Sequence, residues 1–468
     1  MENSEKATLL RELPSVDELL NSEVFLGIEK NSGRALALRN ARAAIDIVRA
    51  RIANSENSFT EAEIIPAVLE AAAQLSDREN LTGIRRVVNA TGVVIHTNLG
   101  RSALSEKAVN AIVEQASGYC TLEYDLETGK RGKRGSRAET LICELTGAES
   151  AVIVNNCAAA AFLVLRVLAA GKEVIISRGE LVEIGGDFRI PDVLAESGAT
   201  MREVGTTNRT KLRDYEQAIN ENTGLILRVH PSNYRVIGFT ESPSNSDLAA
   251  LAKSYKIPFF EDAGSGAIVD LSEYGLGDEP LISRSIADGV DVVAFSGDKL
   301  LGGVQAGFVL GSAEVIGRIR RHPLYRALRL DKLAYAAIEG TLGSYLRGRQ
   351  GEEVPTLRMI AITESEIRAR AERVVSELSI KAGDALKLEI VEGESVIGGG
   401  SAPDVKPKTW LISVNRDGRD TAEIEHALRK FEVPVIARIQ NDRVVIDLRT
   451  VFEDDEQQLI DALAALAG

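Results

Sequence analysis

A chain of 468 residues is too long for one ordinary core, so two or three domains are expected. With 44% hydrophobic and 26% charged residues the composition is that of a soluble globular protein, and the best membrane-span candidate, Cys157 to Ala170, is too short and carries Arg166. A net charge of −14 argues against nucleic acid only in bulk, because binding depends on local patches.

The chain starts Met1-Glu2-Asn3-Ser4-Glu5, acidic and with no apolar segment behind it. No secretory signal is read, and a cytoplasmic location is expected. Residues 1 to 85 then read as a helical N-terminal domain. Val16 to Leu20, Ala35 to Ala53 and Ala67 to Leu75 carry apolar residues at helical spacing, and Arg39, Arg42 and Arg49 fall on one side. That basic face is a candidate nucleic-acid surface or simply a solvated one. A second basic patch is Lys130, Arg131, Lys133, Arg134 and Arg137.

Residues 86 to 340 alternate short β-branched runs with helical stretches. Strands are predicted at Ala151–Val154, Glu173–Ser177, Leu225–Val229, Pro258–Glu261 and Asp291–Phe295, and Ser246–Tyr255 is one of the helices between them. The runs are mostly apolar, as in strands buried on both faces of a mostly parallel α/β sheet. Residues 341 to 468 read as a small α+β domain. A helix over Glu364–Leu378 precedes strands near Leu386–Val391, Trp410–Val414, Val433–Ile439 and Val444–Leu448, the last two joined by a hairpin at Gln440-Asn441-Asp442-Arg443. Cys120, Cys143 and Cys157 lie far apart, and none of the four histidines stands in H-E-x-x-H, so neither a disulfide framework nor a metal site is expected.

Ligands of open α/β sheets bind at the carboxyl ends of the strands, which is where the chemistry is sought. The run Asp291–Phe295 is followed at once by Ser296-Gly297-Asp298-Lys299. Schiff-base formation needs a neutral amine, which an apolar wall beside Lys299 favours. Alone, Lys299 reads more readily as a surface lysine in a turn. Ser-x-x-Lys also resembles β-lactamases, but Lys408-Thr409 is followed by Trp410 where glycine is required. Upstream, Pro258–Glu261 ends at Asp262, a carboxylate able to pair with a pyridinium nitrogen or merely to cap a turn. Val152–Val154 leads through Asn155 and Asn156 into Cys157 and Ala158, where small residues at a helix start let backbone N–H groups approach a phosphate. His230, after the strand Leu225–Val229, lies near the ring or is a core histidine; Arg449 is open to reading as a carboxylate clamp. Phosphate site, aspartate and lysine occur in the chain order of fold type I pyridoxal-phosphate enzymes.

Longer motifs carry a family resemblance over essentially the whole chain. Asn89 to Arg101 (N-A-T-G-V-V-I-H-T-N-L-G-R), Leu122 to Leu126, Ser177 to Gly186, Val204 to Thr210 and Ser296 to Gly303 resemble bacterial selenocysteine synthase, the L-seryl-tRNA(Sec) selenium transferase family. The resemblance implies a fold type I pyridoxal-phosphate transferase with a helical N-terminal and a small α+β C-terminal domain. It implies conversion of serine-charged tRNA(Sec) to selenocysteinyl-tRNA(Sec) with selenophosphate, by a homodecamer, a pentamer of dimers, whose N-terminal domain grips the tRNA. Lys299 and Asp262 are then the catalytic residues. With them, Asn156, Cys157, Ala158, Ser296 and His230 are the expected cofactor-binding residues. Arg101, Arg134, Arg326 and Arg329 fall where the family surrounds the anionic selenium donor. Arg326 and Arg329, three apart, would share a face if helical. Cys157 stands where the family pattern has a third asparagine, which removes a side-chain contact to the cofactor phosphate. A related lyase acting on a small amino acid or sugar acid without tRNA, and a silent tRNA-binding protein, remain as alternatives.

Overall fold

The computed structural model describes residues 3–54, 60–81, 83–185 and 189–467. Met1, Glu2 and Gly186, named above, lie outside them. The chain divides into two compact units, Met1–Val87 and Val88–Gly468.

The first unit holds α1 (Asn3–Arg11), α2 (Val16–Leu20), α3 (Glu23–Ser32), α4 (Arg34–Asn54) and α5 (Glu61–Leu81). Its core is a stripe of Ala37, Ala41, Ala44, Ile45, Val48 and Ile52 on α4, met by Phe25, Ile64 and Val68. The alanines let the helices approach closely, and the helical period leaves Arg39, Arg42 and Arg49 exposed on the opposite side. Arg49 is paired with Asp46 one turn back.

The second unit is built on a seven-stranded sheet. Its strands are β1 (Ser150–Val154), β2 (Glu173–Ser177), β3 (Thr200–Val204), β4 (Thr223–Val229), β5 (Phe259–Gly264), β6 (Val292–Ser296) and β7 (Gly307–Gly311). The spatial order is β1-β7-β6-β5-β4-β2-β3, and only β7 runs antiparallel to its neighbours. Alternation along β1 sends Ala151 and Ile153 into one core and Val152 and Val154 into another, so both faces are covered. β3 and β7 escaped prediction. β3 reads Thr-Met-Arg-Glu-Val because it is an edge strand with three exposed residues. β7 begins and ends in glycine.

The C-terminal region adds an antiparallel sheet of β8 (Lys387–Glu394), β9 (Lys408–Asn415), β10 (Arg438–Gln440) and β11 (Arg443–Asp447), ordered β10-β11-β9-β8. Helices Glu364–Ala382 and Thr421–Arg429 cover it with a separate core, which Val88 and Ala90 join. The predicted strand Val433–Ile439 is two short ones: Val435–Ile436 pairs with Val88–Asn89, and β10 pairs with β11. The hairpin turns through Asn441 and Asp442, whose φ angles of 50° and 58° suit the short polar side chains found there.

Candidate active site

Four chain segments meet at the carboxyl ends of the central strands. β6 delivers Lys299 on a closed turn: Gly297 N donates to Ala306 O at 2.8 Å, and Gly302 N donates to Lys299 O at 2.9 Å. Leu300 N donates to Ser265 O at 3.0 Å, which ties this turn to the end of β5. Within the turn Ser296 Oγ donates to Asp298 Oδ1 at 2.9 Å. Lys299 is 8% exposed. The bland surface-lysine reading is thereby removed.

β5 delivers Asp262, also buried, whose backbone oxygen accepts from His230 N at 2.9 Å. Burial pushes its carboxyl up to about 6, and the nearby Lys299 charge holds it from rising further. His230 Nε2 lies 3.6 Å from Glu279 Oε2.

β1 delivers the start of helix α6 (Cys157–Ala169). Asn156 is its cap: the side-chain oxygen accepts from Ala159 N at 2.8 Å. The side-chain oxygen is therefore committed to the helix, and the backbone N–H groups of Cys157 and Ala158 are what this helix start offers to an anion. Cys157 turns its Sγ toward Asp262 Oδ1, 3.5 Å away, and its side chain takes the part of a carboxylate partner. Burial, then the Asp262 charge, pushes this thiol well above its ordinary pKa, so it stays protonated. The close fit of α6 to the sheet depends on Gly307 in β7, where an added Cβ would lie 2.1 Å from Asn156 O.

The fourth segment was not anticipated. Gly398 to Ala402 crosses from the C-terminal region, and a Cβ on Gly400 would stand 3.3 Å from Lys299 Nζ and 3.4 Å from Ser232 Oγ. The hydroxyls of Ser232 and Ser401 are buried there without a hydrogen-bond partner among the described residues. Buried orphan hydroxyls beside an amine, a carboxylate and a helix start whose first backbone N–H groups point outward are what a polar ligand would satisfy. These residues fit pyridoxal phosphate.

The arginines divide. Arg101 Nη1 pairs with Asp298 Oδ2 at 3.0 Å and with Gln305 Oε1 at 3.3 Å, and Ser102 Oγ donates to Lys299 O at 2.7 Å. Arg101 therefore stands beside the lysine turn. Arg134 and Arg329 instead meet at Glu123. Arg326 is exposed, with no hydrogen-bond or ion-pair partner among the described residues. It does not share a helical face with Arg329: the helix Pro323–Leu328 ends first, and Arg329 is extended at φ −70°, ψ 148°, bridged to Val154. The bonds from Asn155 N to Leu328 O and across this bridge take the place of a further helical turn. Arg449 is no clamp. It is 3% exposed, and its guanidinium donates to Ser395 Oγ and to the backbone oxygens of Met359, Ile362 and Lys408 at 2.7–3.0 Å.

A polar cleft of about 760 Å³ lined by Glu180, Arg228, His230 and Glu279 reaches this cluster only at His230. Lys299 and Asp262 are not on its wall; the strand-end cluster is the better candidate, because a buried amine there lies close enough to a buried carboxylate for its charge to be felt.

The comparisons identify the family. The family profile for L-seryl-tRNA selenium transferase matches residues 87–452. The chain belongs to this family. The L-seryl-tRNA(Sec) selenium transferase of Geobacter sulfurreducens is 46% identical over 463 residues, covering 98% of this chain and 100% of the relative. That of Clostridium perfringens is 47% identical over 458 residues, covering 97% and 98%. Among solved structures, D-glucosaminate-6-phosphate ammonia-lyase superposes with a TM-score of 0.56 at 21% identity, over 83% of this chain and 98% of that one, and speaks for the fold. No described helix is long and apolar enough to cross a membrane.

Proposed function

We propose that this enzyme converts L-seryl-tRNA(Sec) to L-selenocysteinyl-tRNA(Sec), replacing the serine hydroxyl with selenium from selenophosphate. The observation that carries the reading is that Lys299 and Asp262 are both buried beside a capped helix start, in a chain 46% identical to a named transferase over 98% of its length. Pyridoxal phosphate, when bound, supplies an electron sink for negative charge at the substrate Cα. Lys299 would hold its aldehyde carbon, Asp262 its ring nitrogen, and the N–H groups of Cys157 and Ala158 its phosphate. Ser296 supports the lysine turn through Asp298, and His230 braces the Asp262 backbone.

The chain's own groups then divide the work. The Lys299 amine takes the proton from the seryl Cα and is placed to return it. The buried setting keeps water from the reacting carbon once the serine hydroxyl has left. Arg101, Arg134, Arg326 and Arg329 are the cations for the anionic donor, being charged at any working pH and forked to fit phosphate oxygens. With no free α-carboxylate on an esterified serine, no clamp is needed. Arg449, with its donors spent on the fold, supplies none.

The exposed Arg39, Arg42 and Arg49 face makes residues 1–85 the tRNA-gripping domain, with 86–340 as cofactor domain and 341–468 completing the pocket through Gly400. A cytoplasmic homodecamer, a pentamer of dimers, is the assembly the family resemblance implies. The test is selenocysteinyl-tRNA formation from seryl-tRNA(Sec) and selenophosphate, alongside binding of tRNA(Sec) and elongator tRNA(Ser). Full-length protein should prefer tRNA(Sec), and a chain beginning at Arg86 should lose the preference. Equal binding in all four combinations would remove the tRNA assignment.

A further inference from the structure

Three guanidinium groups converge on the carboxylate of Glu123. Oε1 accepts from Arg134 Nε at 2.5 Å and lies 3.5 Å from Arg329 Nη1; Oε2 accepts from Arg131 Nη2 at 2.6 Å. The Arg134 bond, foremost, holds the carboxyl below its ordinary range, so Glu123 is ionised at neutral pH. One negative charge among three positive ones leaves the seat attractive to a more highly charged anion. The same forked N–H groups that hold a carboxylate suit phosphate oxygens.

The seat is also built for exchange. Glu123 rides on a loop bonded largely to itself: Gly132 N donates to Glu123 O, Asp125 N to Lys130 O, and Glu127 N and Thr128 N to Asp125 Oδ1. Its side chain, 22% exposed, can swing out without unmaking that backbone. Arg134 stays behind when it does, because its Nη1 donates separately to Leu330 O at 2.7 Å.

We propose that Glu123 is a resident stand-in for the phosphate-bearing selenium donor, seated between Arg134 and Arg329 until the donor displaces it. This rests on the reading of those two arginines as donor ligands. Glu123 then sets donor affinity and discriminates by charge: a doubly charged oxyanion outcompetes the tethered carboxylate, whereas a singly charged one gains too little.

Holoenzyme, with its cofactor phosphate site filled, would be titrated with inorganic phosphate by calorimetry at fixed ionic strength. Glu123→Gln should bind phosphate about three- to tenfold more tightly than wild type, the scale of one partly exposed charge-assisted contact. Glu123→Ala should tighten it similarly, and Arg134→Ala and Arg329→Ala should weaken it; thermal melting of each variant checks that it is folded. If both Glu123 variants bind with wild-type affinity or more weakly while the arginine variants lose binding, Glu123 is a fixed anchor and the proposal is overturned. If Arg134→Ala and Arg329→Ala bind as wild type does, the donor-site reading itself fails and takes the proposal with it.

Discussion

The turn that carries Lys299 is buried and cross-bonded to three other segments, whereas the loop that carries Glu123 is half in water and bonded mainly to itself. On the proposed reading both regions handle anions, by opposite means. Around Lys299 the protein offers backbone N–H groups, hydroxyls and one carboxylate in a dry setting, where every contact is strong and every misplacement costly. Around Glu123 it offers mobile full charges, screened and exchangeable. The difference separates a tenant that stays through many turnovers from one consumed in each.

The comparison breaks most sharply at the lysine. Lys299→Ala should remove the yellow absorbance of lysine-bound cofactor and cut turnover by about a thousandfold or more, while leaving circular dichroism unchanged. Retained absorbance would end the assignment of the dry region. Next come two arginines. Arg449→Ala leaves several buried carbonyls unpaired and should lower unfolding free energy by about 3–5 kcal/mol in denaturant titrations. Arg329→Ala, from the wet region, should cost less than about 1 kcal/mol in the same titrations. Similar losses for both would erase the contrast.

Asp262 tests the dry region through pH. Its carboxyl titrates at about 6 in the folded chain against an ordinary 3.8, so the folded state keeps the proton to higher pH than the unfolded one. Stability is therefore lost as pH rises between those values, and the loss persists above them. Cofactor-free Asp262→Asn should accordingly be more stable than cofactor-free wild type by about 2–3 kcal/mol near pH 7, the gain shrinking toward about pH 5. A gain that does not vary with pH would mean the carboxylate is not the cause. The smallest effect is at the cap. Asn156→Ala should cost about 1 kcal/mol of stability and loosen cofactor retention on dialysis, with little change in phosphate titrations of the arginine region.

Much of the dry region was legible in the sequence because burial leaves a strong signature. The apolar runs before Asp262 and Lys299 fixed both residues at strand ends, and Asn156 followed a third run into a helix of small residues. Gly400 and the hydroxyl of Ser401 gave no such signal, since what matters there is a side chain's absence and a contact made from another part of the chain. The arginine region was legible only through family motifs, and there the spacing misled. Arg326 and Arg329 suit a helix, but the chain prefers to pair Arg329 with Val154. Arg449 misled in the other direction: sequence shows a charge, and only packing shows that all three of its guanidinium nitrogens already donate to the fold.

β7, the one reversed strand, has a consequence for how the protein comes into being. It sits between β1, which ends at the phosphate-binding helix start, and β6, which ends at the lysine turn, so it spaces the two halves of the cofactor pocket. It is also the last of the seven strands to be synthesised. Until it emerges from the ribosome, β1 has no neighbour in the sheet and the pocket has no width. On the proposed reading, the cofactor pocket cannot take its full form in a nascent chain that ends before Gly307.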